Sequence, residues 1–412
     1  MRIALISFEY GGGPSGGGIG AYVRNAAQML AARGHSVEVF CGDADASIDS
    51  DTPYRINRVT SPRQEFSDAV LLPFSERHNA IPFNVVEGPE YGADAAGIRN
   101  MFPGVPLVVR LHTPGELIGE INASYVNALD KIRFVAGGLI RGRVNKPYWR
   151  RTRDEHALER LHAREADLVV APSRAILDRL RDVWGLSEDK CEVVPNVFVP
   201  ASELLSLEPA KSPGTVLFLG RLEVRKGVLE LARAVPMIAQ AVPEVRFLFV
   251  GSSAPMPGGR RRVRDAMLGR YGRSAGCVCH MDSVPYAQVP RLIGEAAVVV
   301  APSAWENFPY VCLEGMSAAR AVIGSSAGGM AEIIDNGETG LLVPPRSPAA
   351  IARAVTDLLR DPDRRSALGL AARKSVLERY SPSVVGPLQE ETYRLAIRNA
   401  ASREACKVRC AG

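Results

Sequence analysis

Glu306 and Glu314 stand eight positions apart in the stretch Pro302-Ser-Ala-Trp-Glu-Asn-Phe-Pro-Tyr-Val-Cys-Leu-Glu-Gly-Met-Ser. On one helix they would lie about two turns apart and on nearly the same side, since ~3.6 residues make a turn. A helix N-terminus beside them would offer unpaired N–H groups to an anion, and the two carboxylates could bind sugar or ribose hydroxyls. The same spacing also fits an acidic first turn plus one surface Glu. Arg221 and Lys226 lie five positions apart in Gly220-Arg-Leu-Glu-Val-Arg-Lys-Gly. At the mouth of a strand-to-helix turn, both could reach one diphosphate and stabilise the charge that develops as a nucleotide leaves. An ordinary surface pair is the competing reading. His112 leaves the strand signal at 105–111 and is followed by Thr113-Pro114. An imidazole at the C-terminal edge of a parallel strand can donate a hydrogen bond to a sugar hydroxyl or a leaving phosphate, where a bland reading makes it a loop cap. Residues 9–20 hold seven glycines among twelve positions. A core helix or strand would lose ~0.5–1 kcal/mol at each glycine. A turn that brings bare backbone near a ligand tolerates them, as does a floppy surface turn.

Each of these groups sits where a strand signal gives way to a helix signal. Residues 2–8 read as a strand, 21–32 as a helix and 36–41 as a second strand. Strands follow at 83–86 and 105–111, with a helix at 116–125. The pattern then gives a helix at 155–166, a strand at 167–173, a helix at 174–184 and a short strand at 191–194. Residues 200–213 contain three prolines and little pattern, which suits a linker. A second series starts at 215–219 and continues with strands at 246–250, 277–281, 296–300 and 321–325. Helices are expected at 285–295, 349–359, 364–378 and from 389 to about 401, with a frayed tail beyond. The fold class is therefore α/β, with two Rossmann-like, doubly wound domains at 1–205 and 206–385. Residues 386–412 are expected to pack back on the first domain.

The paired Glu, within Pro-Ser-x-x-Glu-Asn-Phe-Pro and Leu-Glu-Gly-Met-Ser, resembles the motif of the retaining, nucleotide-sugar-dependent glycosyltransferases of family 4, the glycogen-synthase-like and mannosyltransferase-like group. Other landmarks of that family follow in order: the glycine loop, His112, Ala166-Asp-x-x-x-x-x-Ser173, Pro195-Asn196 with Val197 in place of a glycine, Gly-Arg…Lys-Gly, the turn Ala327-Gly-Gly, and Asn336-Gly-Glu-Thr-Gly-Leu-Leu-Val-Pro. The resemblance spans residues 1–390. It implies the GT-B fold, two such domains facing each other across a cleft. It implies transfer of a hexosyl group from a UDP- or GDP-linked sugar to an acceptor hydroxyl with retention, in polysaccharide, glycolipid or glycoconjugate biosynthesis. In that scheme Arg221 and Lys226 hold the diphosphate, Glu314 takes the ribose hydroxyls, and Glu306 holds the sugar with the backbone of Asn307, Phe308 and Pro309. His112 contacts the sugar from the other domain. Gly17 and Gly18 bring backbone near donor and acceptor, and Ser173 faces the crevice. Met281 stands in the base-reading loop, where the family carries a glycine. No metal and no tightly bound cofactor is required, because the two cations replace a metal. Same-fold epimerases and phosphorylases carry other residue patterns. Those, and a non-catalytic carbohydrate- or nucleotide-binding module, are the alternatives.

Composition bounds the rest. The chain has 412 residues, 46% of them hydrophobic, which suffices for two ordinary cores. No run approaches the ~18 apolar residues of a membrane span, and the N-terminus reads as a strand rather than a signal peptide, so a cytoplasmic location is expected. Seven cysteines suggest no disulfide framework. Neither Cys277/Cys279 nor Cys406/Cys410 makes a persuasive metal site, and Asp43-Ala-Asp45 lies far in sequence from the donor half. The net charge of +5 is unevenly spread: residues 131–153 hold eight Lys or Arg and no acid, and 260–273 hold six Arg and one Asp. Near Phe134-Val-Ala-Gly-Gly-Leu-Ile and Tyr148-Trp149, the first patch suits the anionic inner face of a cell membrane, where family members acting on lipid carriers dock. A solvated surface excursion is the alternative. Aromatic residues are 6% and are not interleaved with the patches, which argues against nucleic acid. The expected partners are a nucleotide-sugar donor and a sugar, lipid-linked or small-molecule acceptor, in a monomer or homodimer.

Overall fold

Seven parallel strands form the first sheet: β1 (Arg2–Ser7), β2 (Ser36–Cys41), β3 (Arg55–Arg58), β4 (Val85–Pro89), β5 (Leu107–Arg110), β6 (Leu168–Ala171) and β7 (Cys191–Val193). Their order is β3-β2-β1-β4-β5-β6-β7. The computed structural model describes residues 1–11, 17–42, 52–126, 128–142, 147, 156–210, 214–259 and 261–411. The inner strands are almost wholly buried, as strands covered on both faces must be. Chain order reverses between β1 and β4, the kind of switch point where open α/β sheets bind ligands. The glycine loop leaves β1 beside that point. The helix Gly18–Ala32 follows, burying Tyr22, Val23, Ala26, Met29 and Leu30 along one side.

The second sheet has six parallel strands: β8 (Thr215–Leu219), β9 (Arg246–Val250), β10 (Val278–Met281), β11 (Ala296–Ala301), β12 (Ala321–Ser325) and β13 (Leu341–Val343), in the order β10-β9-β8-β11-β12-β13. Here the reversal lies between β8 and β11. Phe218, Phe247, Phe249, Leu231, Val235, Val298, Ile351 and Val355 belong to its core. The loops leaving β8 and β11 carry Arg221, Lys226 and Glu306, so the two motifs emerge side by side.

The chain divides into two compact units. One comprises Met1–Pro114, His156–Val199 and Glu378–Gly412, and the other Gly115–Glu155 with Pro200–Leu377. These bounds differ from 1–205 and 206–385, chiefly because residues from Gly115 group with the second unit. There Arg346 donates to the Ser124 hydroxyl and lies 4.6 Å over the Tyr125 ring. The segment expected as a linker is pinned to that unit too. Arg373 donates to the Leu207 carbonyl, Arg320 to that of Glu208 at 2.5 Å and Arg365 to that of Ala210 at 3.2 Å.

In the first unit the C-terminal helix runs from Pro382 to Ala411. It begins before residue 389, and the tail expected to fray is helical. A further helix, Ala128–Ile140, occupies part of the basic tract and was not anticipated. The expected helix 285–295 starts as a 3-10 turn, Tyr286–Gln288, before Val289–Gly294. The glycines at 12, 13 and 16, the Asp43-Ala-Asp45 pair and the residues 148–151 lie outside the described residues. Among the described residues, no helix is long and apolar enough to cross a membrane, and no group of three or more His, Cys, Asp or Glu could hold a metal ion.

Candidate active site

Lys226 closes a short 3-10 turn, Val224–Lys226, that ends at Gly227. Gly227 has φ of 70°, and a Cβ there would stand 1.9 Å from the Pro302 carbonyl oxygen. Only glycine permits this close crossing of the two loops. The Ala304 amide donates to the Arg225 carbonyl at 2.8 Å and ties the loops again. Lys226 Nζ consequently meets Glu306 Oε2 at 2.8 Å, and Arg225 Nη1 meets the same oxygen at 3.3 Å. The Ser303 hydroxyl donates to it at 3.1 Å. Glu223 bridges outward, accepting from Arg221 Nε at 2.7 Å and lying 3.5 Å from Arg225 Nη2.

The result is a chain of alternating charge: Arg221, Glu223, Arg225, Glu306, Lys226. Burial alone would raise the Glu306 pKa, but Lys226 and then Arg225 outweigh it and hold the carboxyl down to about 2. Glu306 is thus an acceptor of hydrogen bonds and no proton donor near neutral pH. Three cations against two anions leave the cluster formally positive. Arg221, with its side chain 67% exposed, is the member nearest solvent.

Glu306 and Glu314 do not share a helix. The helix spans Tyr310–Ser317 and takes Pro309 as its N-cap in an extended conformation. Phe308 precedes that proline and is disfavoured from helical geometry, so the stretch before it stays extended. Glu306 instead makes a parallel bridge to Gly328, and Gly329 N donates to its carbonyl at 2.9 Å. Gly328 has φ of 75°, and a Cβ there would lie 2.2 Å from the Glu306 carbonyl oxygen. The turn 327–329 therefore fixes the Glu306 backbone. Glu314 is buried within the helix, and Asn307, Phe308 and Tyr310 are buried around its start. No side chain caps that helix. Met281 ends β10, and its carbonyl accepts from Gly251 N at 3.1 Å.

The remaining expected residues belong to the first unit. His112 is buried, and its amide donates to Glu90 Oε2 at 2.7 Å. Burial, and then Arg110, lower its imidazole pKa to about 3, so the ring is neutral. It meets the Tyr22 ring edgewise at 5.5 Å, and a small cavity beside it is also lined by Glu87 and Arg110. Gly17 caps the helix Gly18–Ala32, and a Cβ there would meet the Glu9 carboxylate at 2.4 Å. A Cβ at Gly18 would have nothing within 4 Å. Ser173 is engaged as a helix N-cap, accepting from Ile176 N at 3.4 Å.

Sequence reasoning passed over Arg225, Glu223, Ser303 and Glu90. Arg225 sits directly before Lys226 within the motif, and that adjacency was the available signal. The carboxylate of Glu90 lies 22 residues upstream of His112, and no spacing rule links them.

Two parallel, doubly wound sheets of this topology are the architecture of the GT-B fold. The model described as "Glycosyltransferase Family 4" matches residues 16–200, and "Glycosyl transferases group 1" matches residues 213–361. The chain belongs to glycosyltransferase family 4. It is 26% identical to a glycogen synthase of Mycobacterium tuberculosis over 97% of this chain and 95% of that one. Sucrose-phosphate synthase from Thermosynechococcus elongatus has a similar structure, with a TM-score of 0.72 at 22% identity, covering 96% of this chain and 98% of that one. Anabaena Alr3699/HepE, solved in complex with UDP-glucose, gives a TM-score of 0.65 at 16% identity, with 98% and 100% covered.

Proposed function

We propose that this protein is a retaining hexosyltransferase that moves a hexosyl group from a nucleoside diphosphate sugar to an acceptor hydroxyl, in polysaccharide, glycolipid or glycoconjugate assembly. A UDP-linked sugar comes first and a GDP-linked one second, because a structural neighbour was solved with UDP-glucose. The observation that carries the reading is Glu306 held ionised between Lys226 and Arg225 at the C-terminal edge of β8 and β11. Lys226 and Arg221 neutralise the diphosphate as it leaves, which replaces a metal. Glu306 accepts hydrogen bonds from the sugar, together with the backbone of Asn307, Phe308 and Pro309. Glu314 takes the ribose, Met281 lies by the base, and Gly17 and Gly18 supply backbone near the phosphates. His112, neutral, donates to the sugar. A carboxylate whose charge is shared by two cations is a poor nucleophile. Attack on the face the phosphate leaves, with that phosphate as base, therefore fits better than a glycosyl-enzyme on Glu306. The acceptor is a sugar, a lipid-linked saccharide or a small molecule. The proposed setting is cytoplasmic, with residues 131–153 against an anionic membrane.

The test is a thermal-shift comparison of UDP, GDP and ADP, followed by donor turnover with the stabilising base. One nucleotide should raise Tm, its sugar should be released slowly, and EDTA should change neither. The released or transferred sugar should keep its anomeric configuration by NMR. No stabilisation and no release with any nucleotide would remove the proposal.

A further inference from the structure

Just past β5 a side chain takes over a bond that the backbone ladder would have made. Pro89 stands opposite Arg110 in the β4–β5 register, and Glu90 N donates to the Arg110 carbonyl at 3.2 Å. Leu111 N then donates to the Val170 carbonyl on β6 at 2.8 Å. In a parallel ladder the next amide, that of His112, turns back towards β4, where the Glu90 carbonyl would be its acceptor. But β4 has ended. Glu90 has helical φ and ψ of −66° and −39°, and its carbonyl accepts from Ala93 N at 2.9 Å instead. The Glu90 side chain fills the gap, with Oε2 2.7 Å from His112 N. That side chain is fully buried, and its Oε1 has no hydrogen-bond partner among the described residues. The turn that carries it is pinned from two sides. Gly92 N donates to Glu159 Oε1 at 3.2 Å, and Arg63 Nη2 donates to the Tyr91 carbonyl at 2.9 Å.

We infer that Glu90 is a positioning residue for sugar transfer: by accepting from the His112 amide it fixes where the imidazole stands. This rests on the proposed reaction, in which His112 donates to the sugar. Glu90 itself is too deeply buried to touch a substrate. A buried amide needs an acceptor, so without the Glu90 carboxyl the backbone at His112 would shift to find one. A misplacement of about 1 Å in a reacting group can cost ~10²-fold in rate. The bond does not require charge. Burial, and then Glu159, push the Glu90 pKa well above its usual value, which favours the protonated carboxyl. Gln at this position reproduces a neutral acceptor, whereas Leu occupies a similar space without one. A Glu90 that only supports the fold would make the same bond, but its loss would then slow transfer equally with or without the His112 ring.

The test is a double-mutant cycle between positions 90 and 112 in the full-length protein. Its readouts are the release of sugar from UDP-glucose or GDP-mannose, whichever the parent turns over, and the exchange rate of the His112 amide by NMR. Glu90→Leu should lower kcat about tenfold or more, with the donor KM within about threefold of the parent's. In a His112→Ala background the same change should cost less than about twofold, because the two residues act as one unit. Glu90→Gln should restore kcat to within about threefold of the parent. The His112 amide should exchange at least about tenfold faster in Glu90→Leu than in the parent or in Glu90→Gln. Four results would each overturn the inference: unchanged kcat in the Leu variant, unchanged exchange in it, a loss in the Gln variant as large as in the Leu variant, or equal losses with and without His112. Should the Leu variant not fold, the Gln variant decides alone, by keeping or losing transfer. A parent that turns over neither donor sinks the transferase reading and the positioning role with it. An active parent indifferent to position 90 sinks the positioning role alone.

Discussion

Lys226 and Arg225 both face Glu306, but from different depths. The side chain of Lys226 is 22% exposed and that of Arg225 is 7% exposed. Removing Lys226 leaves Glu306 paired with Arg225, so Lys226→Ala should keep its fold and melt within a few degrees of the parent. It should lose transfer by about 10²–10³-fold, the usual effect of deleting one group that stabilises transition-state charge. Normal turnover would remove the diphosphate assignment. Arg225→Met should reverse the balance, because it strips a buried cation from between Glu223 and Glu306. Breaking a buried pair from one side costs about 3–5 kcal/mol, which urea unfolding would read directly. The depressed Glu306 carboxyl adds a pH dependence. Its stabilisation is complete above the unfolded pKa of 4.5 and is lost as pH falls towards about 2. The difference is of order 3 kcal/mol, at ~1.4 kcal/mol per unit. Unfolding free energies measured between pH 2 and 5 should show that slope in the parent, and a much smaller one in Glu306→Gln.

At the scale of elements, glycines that the fold needs can be told from those it does not. Gly227→Ala would place a side chain in the left-handed region, at ~1–3 kcal/mol, and drive it into the Pro302 carbonyl 1.9 Å away. The crossing of loops that presents Lys226 to Glu306 should fail, with a lower Tm and no transfer. Gly18→Ala meets nothing within 4 Å, so it should fold and melt like the parent. A loss of transfer of tenfold or more in that variant would report the approach of a ligand to bare backbone. Unchanged transfer would take Gly18 out of the site. The elements themselves were largely legible. The helix Arg174–Trp184 and the strand Arg246–Val250 fall where their apolar spacing and end signals put them. The spacing of Glu306 and Glu314 suits one helix, but Pro309 caps the helix that holds Glu314, so Glu306 stands in the extended stretch before it. The helix Ala128–Ile140 was missed because its apolar residues sit among cations and face outward, and periodicity is normally read as an inward face.

At the scale of the whole molecule, the least legible feature is what the last thirty residues hold in place in the first unit. Arg110 is fully buried and pairs with Glu87 at 3.2 Å. The C-terminal helix completes that pair from 279 residues away in sequence: Gln389 accepts from Arg110. Gln389 Nε2 and the Tyr393 hydroxyl donate to Glu87 Oε2 at 2.6 and 2.9 Å. Tyr22, from the helix after the glycine loop, donates to the other Glu87 oxygen. Nothing in the local pattern around Glu87 announces partners so distant. The consequence is graded. Removing 401–412 deletes the Arg403–Asp167 ion pair at 2.9 Å but leaves Gln389 and Tyr393. That truncation should stay soluble and melt only slightly lower. Removing 382–412 leaves a buried pair short of three hydrogen bonds and uncovers the sheet beneath. Each unsatisfied buried group costs about 1–3 kcal/mol, more when charged, so the sum rivals a typical stability of ~5–15 kcal/mol. The longer truncation should be insoluble or show no cooperative melt. A cooperative melt near the parent's temperature would mean that the first sheet stands without its last helix.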